Sequence, residues 1–200
     1  MAALWELFLT QVQETSWLEF IAVVFGFLTV WYAKQESILT YPTGIVNVLI
    51  FVYITFQYRL YADAGINAYY FVMSVYGWYH WKDTKSAADQ IPITASNFSE
   101  YLLAIGIVVG SFLLIRLGLD FTDSDVPTWD ALSTSAPIAA MWLMARKKLE
   151  HWLFWIITDL IAVPLYAYKG LPLTSFQYFV WTIIAAWGYV SWRRKLLAYA

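Results

Sequence analysis

The stretch "EHWLFWIITDLIAVPLY", residues 150–166, is a strongly apolar run with one carboxylate, Asp159, near its middle. A bilayer core about 30 Å thick needs roughly 20 mostly apolar residues per spanning helix. An Asp at the centre of such a helix costs on the order of 3 kcal/mol on insertion scales, so it faces a cavity or a partner rather than lipid. Two questions follow: what kind of chain holds this run, and what the acid faces.

Composition answers the first. Of the 200 residues, 61% are hydrophobic, 20% aromatic and only 13% charged, against about a quarter charged in a soluble domain. The chain reads as an all-α integral membrane protein. A net charge of −2 and the lack of any long basic run exclude a nucleic-acid partner, which needs a positive footprint for the phosphates. The lack of cysteine excludes thiolate metal sites, disulfides and thiol catalysis. The opening "MAALWELFLTQVQETSW" has no basic start and carries Glu6 and Glu14, which argues against a cleaved signal peptide.

Outward from the opening stretch, seven windows are apolar enough to span: residues 17–33, 41–57, 65–81, 100–119, 128–145, 152–168 and 174–192. Polar or short segments separate them, the most polar being "KDTKSAADQIPITASN". Before the first window, Leu4, Leu7, Phe8 and Gln11 fall at helical spacing, which suits either an interfacial helix or a frayed terminus. Lys and Arg counted on alternate sides of seven spans divide three (Arg59, Arg116, Lys169) against nine (Lys34, Lys82, Lys85, Arg146, Lys147, Lys148, Arg193, Arg194, Lys195). The richer side is cytoplasmic, with the N-terminus outside and the C-terminus inside.

The chain also repeats. A shift of 112 places Trp17 on Trp129, Lys34 on Arg146 and Asn47 on Asp159; a shift of 111 places Gly77 on Gly188 and Trp81 on Trp192. Three spans recur, and the fourth, "YLLAIGIVVGSFLLIRLGL", has no counterpart. The expected architecture is seven transmembrane helices as two parallel three-helix bundles joined by a linker helix. It divides into a 1–16 N-terminal interfacial segment, a first repeat at 17–82, a linker region at 83–127, a second repeat at 128–193 and a cytoplasmic tail at 194–200.

The repeat bears on the acid. Asn47 and Asp159 lie at matching depth in the second helix of each triplet, and Asn67 and Gln177 near the start of each third helix. A pseudo-two-fold axis would bring such groups together where a transported solute would sit; interhelical glue is the alternative for each one alone. Phe51 and Trp155 lie one turn from Asn47 and Asp159, and Tyr53, Tyr70, Trp78, Trp181 and Trp187 add further rings. Rings with a carboxylate suit a flat cation. Trp17, Trp81, Trp129 and Trp192 at span ends fit the interfacial aromatic belt. Pro42, Pro137 and Pro164 mark possible bends. His80 and His151 belong to no metalloprotease spacing or nucleophile pair, and no phosphate-binding glycine loop is present, so neither an enzyme, a metal site nor a resident cofactor is expected.

The residues "YPTGIVNVLIFVYITFQYRLYADAGINAYYFVMSVYGWYHW", with "WDALSTSAPIAAMWLMARKKLEHWLFWIITDLIAVPLYAYKGLPLTSFQYFVW", resemble the PnuC family of bacterial vitamin transporters. The YGWYxW ending and the RKxxExWxxW run are the more specific marks. The resemblance implies a fold similar to the SWEET sugar transporters, often assembled as a homotrimer in the inner membrane. It implies uptake of nicotinamide riboside by facilitated diffusion, with relatives that carry thiamine or riboflavin and a cytoplasmic kinase that traps the solute. Carried over by position, it implicates Asn47, Gln57, Asn67 and Gln177 as polar groups and Trp152 and Trp155 as a tryptophan pair. Asp159 departs from the Asn expected in nicotinamide riboside transporters. A carboxylate there fits the ring cation of nicotinamide riboside or thiamine and disfavours neutral riboflavin.

Overall fold

A computed structural model describes residues 2–57, 61–82, 91–122 and 124–199. It is all-helical, in the order α1 (Ala2–Glu14), α2 (Trp17–Lys34), α3 (Thr40–Gln57), α4 (Tyr61–Lys82), α5 (Phe98–Leu119), α6 (Pro127–Ala145), α7 (His151–Tyr168) and α8 (Pro172–Tyr199). Seven of these overlie the seven apolar windows; α1 is the helix suggested by the spacing of Leu4, Leu7, Phe8 and Gln11. By length and hydropathy, α2, α3, α5 and α7 qualify as membrane spans. In α4, α6 and α8, hydroxyls, ring-borne polar atoms and amide or ionisable groups such as Asn67, His80, Asp130 and Gln177 lower the hydropathy. Arg59, Lys85 and most of the "KDTKSAADQ" segment lie outside the described residues.

Local chemistry sets the helix ends. Ser16 accepts from the Glu19 amide while the Glu19 carboxylate accepts from the Ser16 amide, and Asn97 and Glu100 do the same at α5. Each reciprocal pair satisfies two amide donors that a helix start leaves free. Pro127 opens α6, where its missing N–H costs nothing. Between α2 and α3 the chain turns through Glu36 at φ 64°, and between α6 and α7 through Lys147 at φ 53°. These two left-handed residues are 111 positions apart.

Packing repeats with the same offset. Within each triplet, adjacent helices pack in order; between triplets, α2 packs on α8 and α4 on α6. The Trp81 indole donates to the Ala145 carbonyl at 3.1 Å, and the Trp192 indole to the Ala33 carbonyl at 3.0 Å. Gly77 lets the Tyr41 ring approach to where a Cβ would lie 2.3 Å from it; Gly188 does the same for Trp152 at 2.6 Å. Expected at the interfacial belt, Trp81 and Trp192 instead belong to the core, with Trp192 fully buried. Each indole N–H finds a carbonyl across the triplets, which removes the usual reason for a Trp to stay near water. Trp17 and Trp129 are exposed, as belt residues should be.

Tyr41, Trp81, Ile93, Met144, Leu149, Trp152 and Trp192 form one cluster at the end carrying the α2–α3 and α6–α7 turns. Across it, Lys147 pairs with Glu36 at 2.9 Å, and Glu36 also takes Lys195 at 3.0 Å. The described part of the polar connection lies over the α6–α7 turn: the Thr94 amide donates to the Lys147 carbonyl, and Ser96 and Tyr101 donate to Glu150. Helix α5 packs on α6. Its Gly106 and Gly110 face open space among the described residues, while Ile107 and Val108 between them pack against the cluster of Ala104, Ala139 and Leu143. Helix α1 docks on α8, with Gln11 bonded to the Gly170 carbonyl and the Leu173 amide.

Candidate functional site

Asp159 sits half-way along α7 and is 3% exposed. No hydrogen bond or ion pair reaches its carboxylate from any described residue, and Thr158 beside it buries a hydroxyl without a partner. Leaving a charged group unpaired in an apolar interior costs several kcal/mol, so the position is expensive as pure structure. Two turns further along α7, Tyr166 stacks on Tyr178 of α8 with centroids 5.2 Å apart and planes 7° from parallel. Tyr178 lies within Coulombic range of Asp159 and Tyr70.

Tyr178 in turn meets Trp181 edge-on at 5.2 Å, and Trp181 meets Phe27 of α2 at 5.9 Å. The Trp181 indole nitrogen is buried without a partner among the described residues. Beside it, Gly26 admits two neighbours at once: a methyl there would lie 3.1 Å from the Asn47 amide nitrogen and 3.5 Å from the Trp181 ring. Asn47 donates to the Ala22 carbonyl at 2.7 Å, which ties α3 to α2 and leaves its side-chain oxygen as an acceptor. One neighbourhood thus gathers residues of α2, α3, α4, α7 and α8: an unpartnered acid, an amide oxygen, an unpartnered indole N–H and stacked phenols. Such a set can hold a flat, charged, hydroxyl-bearing solute by ion pairing, stacking and hydrogen bonds.

The positions expected from sequence divide accordingly. Asn47, Tyr70, Asp159 and Trp181 come together in this neighbourhood, and half-buried Gln177 immediately precedes Tyr178. Asn67 bonds to its own helix at the Asp63 carbonyl. Phe51 is half-buried one turn beyond Asn47. Gln57 is exposed in the last turn of α3, and Trp78 is exposed on α4. Trp152 fills the packed aromatic cluster, and Trp155 rests against the same cluster. Tyr166, Tyr178, Gly26 and Phe27 were not singled out from sequence. A signal existed for the first two: Tyr166 is seven residues, about two turns, past Asp159, and Tyr178 is three before Trp181. On the side of this neighbourhood away from the aromatic cluster, Lys169 holds both Asp130 oxygens at 2.6 and 2.7 Å. Asp63 lies within Coulombic range of both.

Comparison with known proteins decides the family. A family model described as "Nicotinamide mononucleotide transporter" matches residues 16–194. The chain belongs to the PnuC transporter family. It is 29% identical over 205 residues to the nicotinamide riboside transporter PnuC of Escherichia coli, covering 90% of this chain and 86% of that protein. It is also 26% identical over 184 residues to the riboflavin/roseoflavin transporter RibM of Streptomyces davaonensis, with the same coverage. A crystal structure of the vitamin B3 transporter PnuC matches with a TM-score of 0.73 at 22% identity, covering 98% of this chain and 89% of that one. The last likeness speaks for the fold. Membership in a transporter family, with several apolar helices, makes the chain a multi-pass membrane protein.

Proposed function

We propose that the chain carries nicotinamide riboside across the bacterial inner membrane by facilitated diffusion, opening alternately to each side of one central site. The observation that carries this reading is Asp159: a buried acid that no described residue hydrogen-bonds or ion-pairs, near rings contributed by both triplets. The 29% identity to a nicotinamide riboside transporter over nearly the whole chain supports the same solute. In this reading Asp159 balances the pyridinium charge, Trp181 and Tyr178 stack on the ring, and Asn47, Asn67 and Gln177 bond the ribose or carboxamide. Phe51, Tyr70, Trp155, Trp152, Trp78 and Gln57 form the remainder of the predicted lining. Thiamine is the second reading, because Asp159 replaces an expected Asn and suits any ring cation.

Seven of the eight helices span, as two parallel three-helix bundles joined by α5, with the N-terminus outside. The reciprocal Trp81 and Trp192 bonds and the pairing of α2 with α8 and α4 with α6 support this arrangement. The chain performs no chemistry itself; a cytoplasmic kinase phosphorylates the solute and keeps it in. The open GxxxG face of α5 supports assembly as a homotrimer, since small residues let membrane helices approach closely.

Uptake of radiolabelled solute into proteoliposomes tests the carrier. Saturable, gradient-dissipating flux of nicotinamide riboside, with weaker flux of thiamine, is expected. Absence of any saturable flux would leave a receptor or scaffold whose polar groups only lock helices together.

A further inference from the structure

Away from the central site, the outer face of α8 carries a groove that solute transport does not use. It is a concavity of about 610 Å³ lined by Ala186, Trp187, Val190, Ser191, Arg194 and Lys195. These residues fall at spacings of four, so they form one stripe about 12 Å long on the helix. The stripe is graded. Ala186, Trp187 and Val190 make its end nearer the middle of the helix apolar, and Ser191, Arg194 and Lys195 make the other end polar and basic. A second hollow, with Arg193 and Leu197, adjoins it across Val190 and Arg194.

Charge on this rim has little internal compensation. Lys195 pairs with Glu36, but among the described residues Arg193 and Arg194 have no ion pair. Lys34 adds a fourth cation: its ammonium lies 3.1 Å from the centroid of the Trp187 ring and 4.3 Å from that of Trp31. Cation–π contact of this kind holds the charge at the groove edge. The rim also lies at the end of the molecule where most of the lysines and arginines collect, the end that charge asymmetry assigns to the cytoplasm.

We infer that this groove is a binding site for an anionic phospholipid of the cytoplasmic leaflet. The phosphate lies against Arg194 and Ser191, within reach of Arg193 and Lys34, and an acyl chain runs along Trp187, Val190 and Ala186. A lipid matches the groove better than a soluble anion because the basic end continues into an apolar one on a lipid-facing helix. Anionic leaflets attract such basic residues at about fivefold in affinity per charge. Lipid capture does not require solute, so this inference stands or falls separately from the uptake experiment.

The test uses the full chain purified in a neutral detergent, with phosphatidylglycerol as the probe and phosphatidylcholine as the control. Native mass spectrometry counts retained lipid, and thermal unfolding in mixed micelles reads its effect on stability. Phosphatidylglycerol should be retained and should raise the unfolding temperature above that with phosphatidylcholine. R194Q should weaken its apparent affinity about fivefold and R193Q/R194Q further, while R194K keeps it and R116Q, at the opposite end, leaves it unchanged. Equal behaviour of the two lipids, an R194Q variant indistinguishable from the parent, or full stabilisation by inorganic phosphate alone would overturn the inference. So would a change of oligomeric mass in R194Q, which would give the groove to a second copy of the chain.

Discussion

Removing Glu36 should destabilise the protein more than removing Lys147, although the two form one ion pair. Glu36 on the α2–α3 turn accepts from Lys147 on the α6–α7 turn at 2.9 Å and from Lys195 of α8 at 3.0 Å. The Lys147 side chain is 5% exposed, that of Glu36 14%, and that of Lys195 40%. Glu36→Gln therefore leaves a deeply buried ammonium without an anion, a loss of about 3–5 kcal/mol for buried pairs. The Gln oxygen still accepts one hydrogen bond, and the Trp81 ring still lies 4.7 Å from the ammonium, which puts the expected cost near 3 kcal/mol. Lys147→Met leaves the carboxylate with its second lysine and substitutes an apolar chain of similar length, so about 1 kcal/mol is expected. Both variants keep a side chain at their left-handed backbone positions, so strain cancels from the comparison. At about 2–4 °C per kcal/mol for a chain of this size, Glu36→Gln should unfold roughly 6–12 °C lower and Lys147→Met about 2–4 °C lower. Thermal unfolding in one detergent, followed by tryptophan fluorescence, reads both. Equal losses, or a larger loss for Lys147→Met, would refute the claim that Glu36 is the shared hub.

Asp159→Ala should weaken binding of a cationic solute far more than that of a neutral analogue, as read by calorimetry in detergent; equal losses would remove its charge-balancing role. Trp192→Phe and Trp81→Phe each delete one cross-triplet indole bond and strand a carbonyl, so each should cost about 1–2 kcal/mol, measured by the same unfolding assay. A much larger cost for one than the other would break the equivalence of the two contacts. Gly188→Ala drives a methyl into the Trp152 ring and should cost about 1–3 kcal/mol, whereas Gly106→Ala meets nothing among the described residues and should leave monomer stability unchanged.

The helices were legible because length and apolarity mark them directly. The repeat was legible because a few matched residues kept their spacing: Trp81 with Trp192, Gly77 with Gly188. What these residues do was less legible. A Trp at a span end looks the same in sequence whether it meets water or a carbonyl of another helix; only the positions of Ala145 and Ala33 distinguish Trp81 and Trp192 from Trp17 and Trp129. The same limit applies to the candidate site. Asp159 and Asn47 stand out as polar groups in apolar runs, but Tyr166 and Tyr178 are amphipathic rings in a chain with 15 tyrosines. Nothing local separates a stacked pair from ordinary packing, because the pairing is made by two helices meeting. Gly26 was silent for a related reason, since its use is the space it leaves for Asn47 and Trp181.

The two halves agree most at the end carrying the α2–α3 and α6–α7 turns and differ around Asn47 and Asp159. At the end carrying the α2–α3 and α6–α7 turns, equivalent residues make equivalent contacts: indole to carbonyl twice, ring against glycine twice, left-handed turn twice. Even there one pair has diverged usefully, for Glu36 and Lys147 occupy equivalent turns and bind each other, which two identical residues of either charge would not do. Near the centre the divergence deepens. Asn47 donates to a carbonyl of α2, a bond that an ionised carboxylate cannot make, and its counterpart Asp159 makes no such bond. A nucleoside-like cation has no two-fold axis, so a symmetric cage would offer it the same group on both sides. Under the proposed function, an amide whose N–H is anchored on one side and an acid bonded by no described residue on the other would give it two unlike faces.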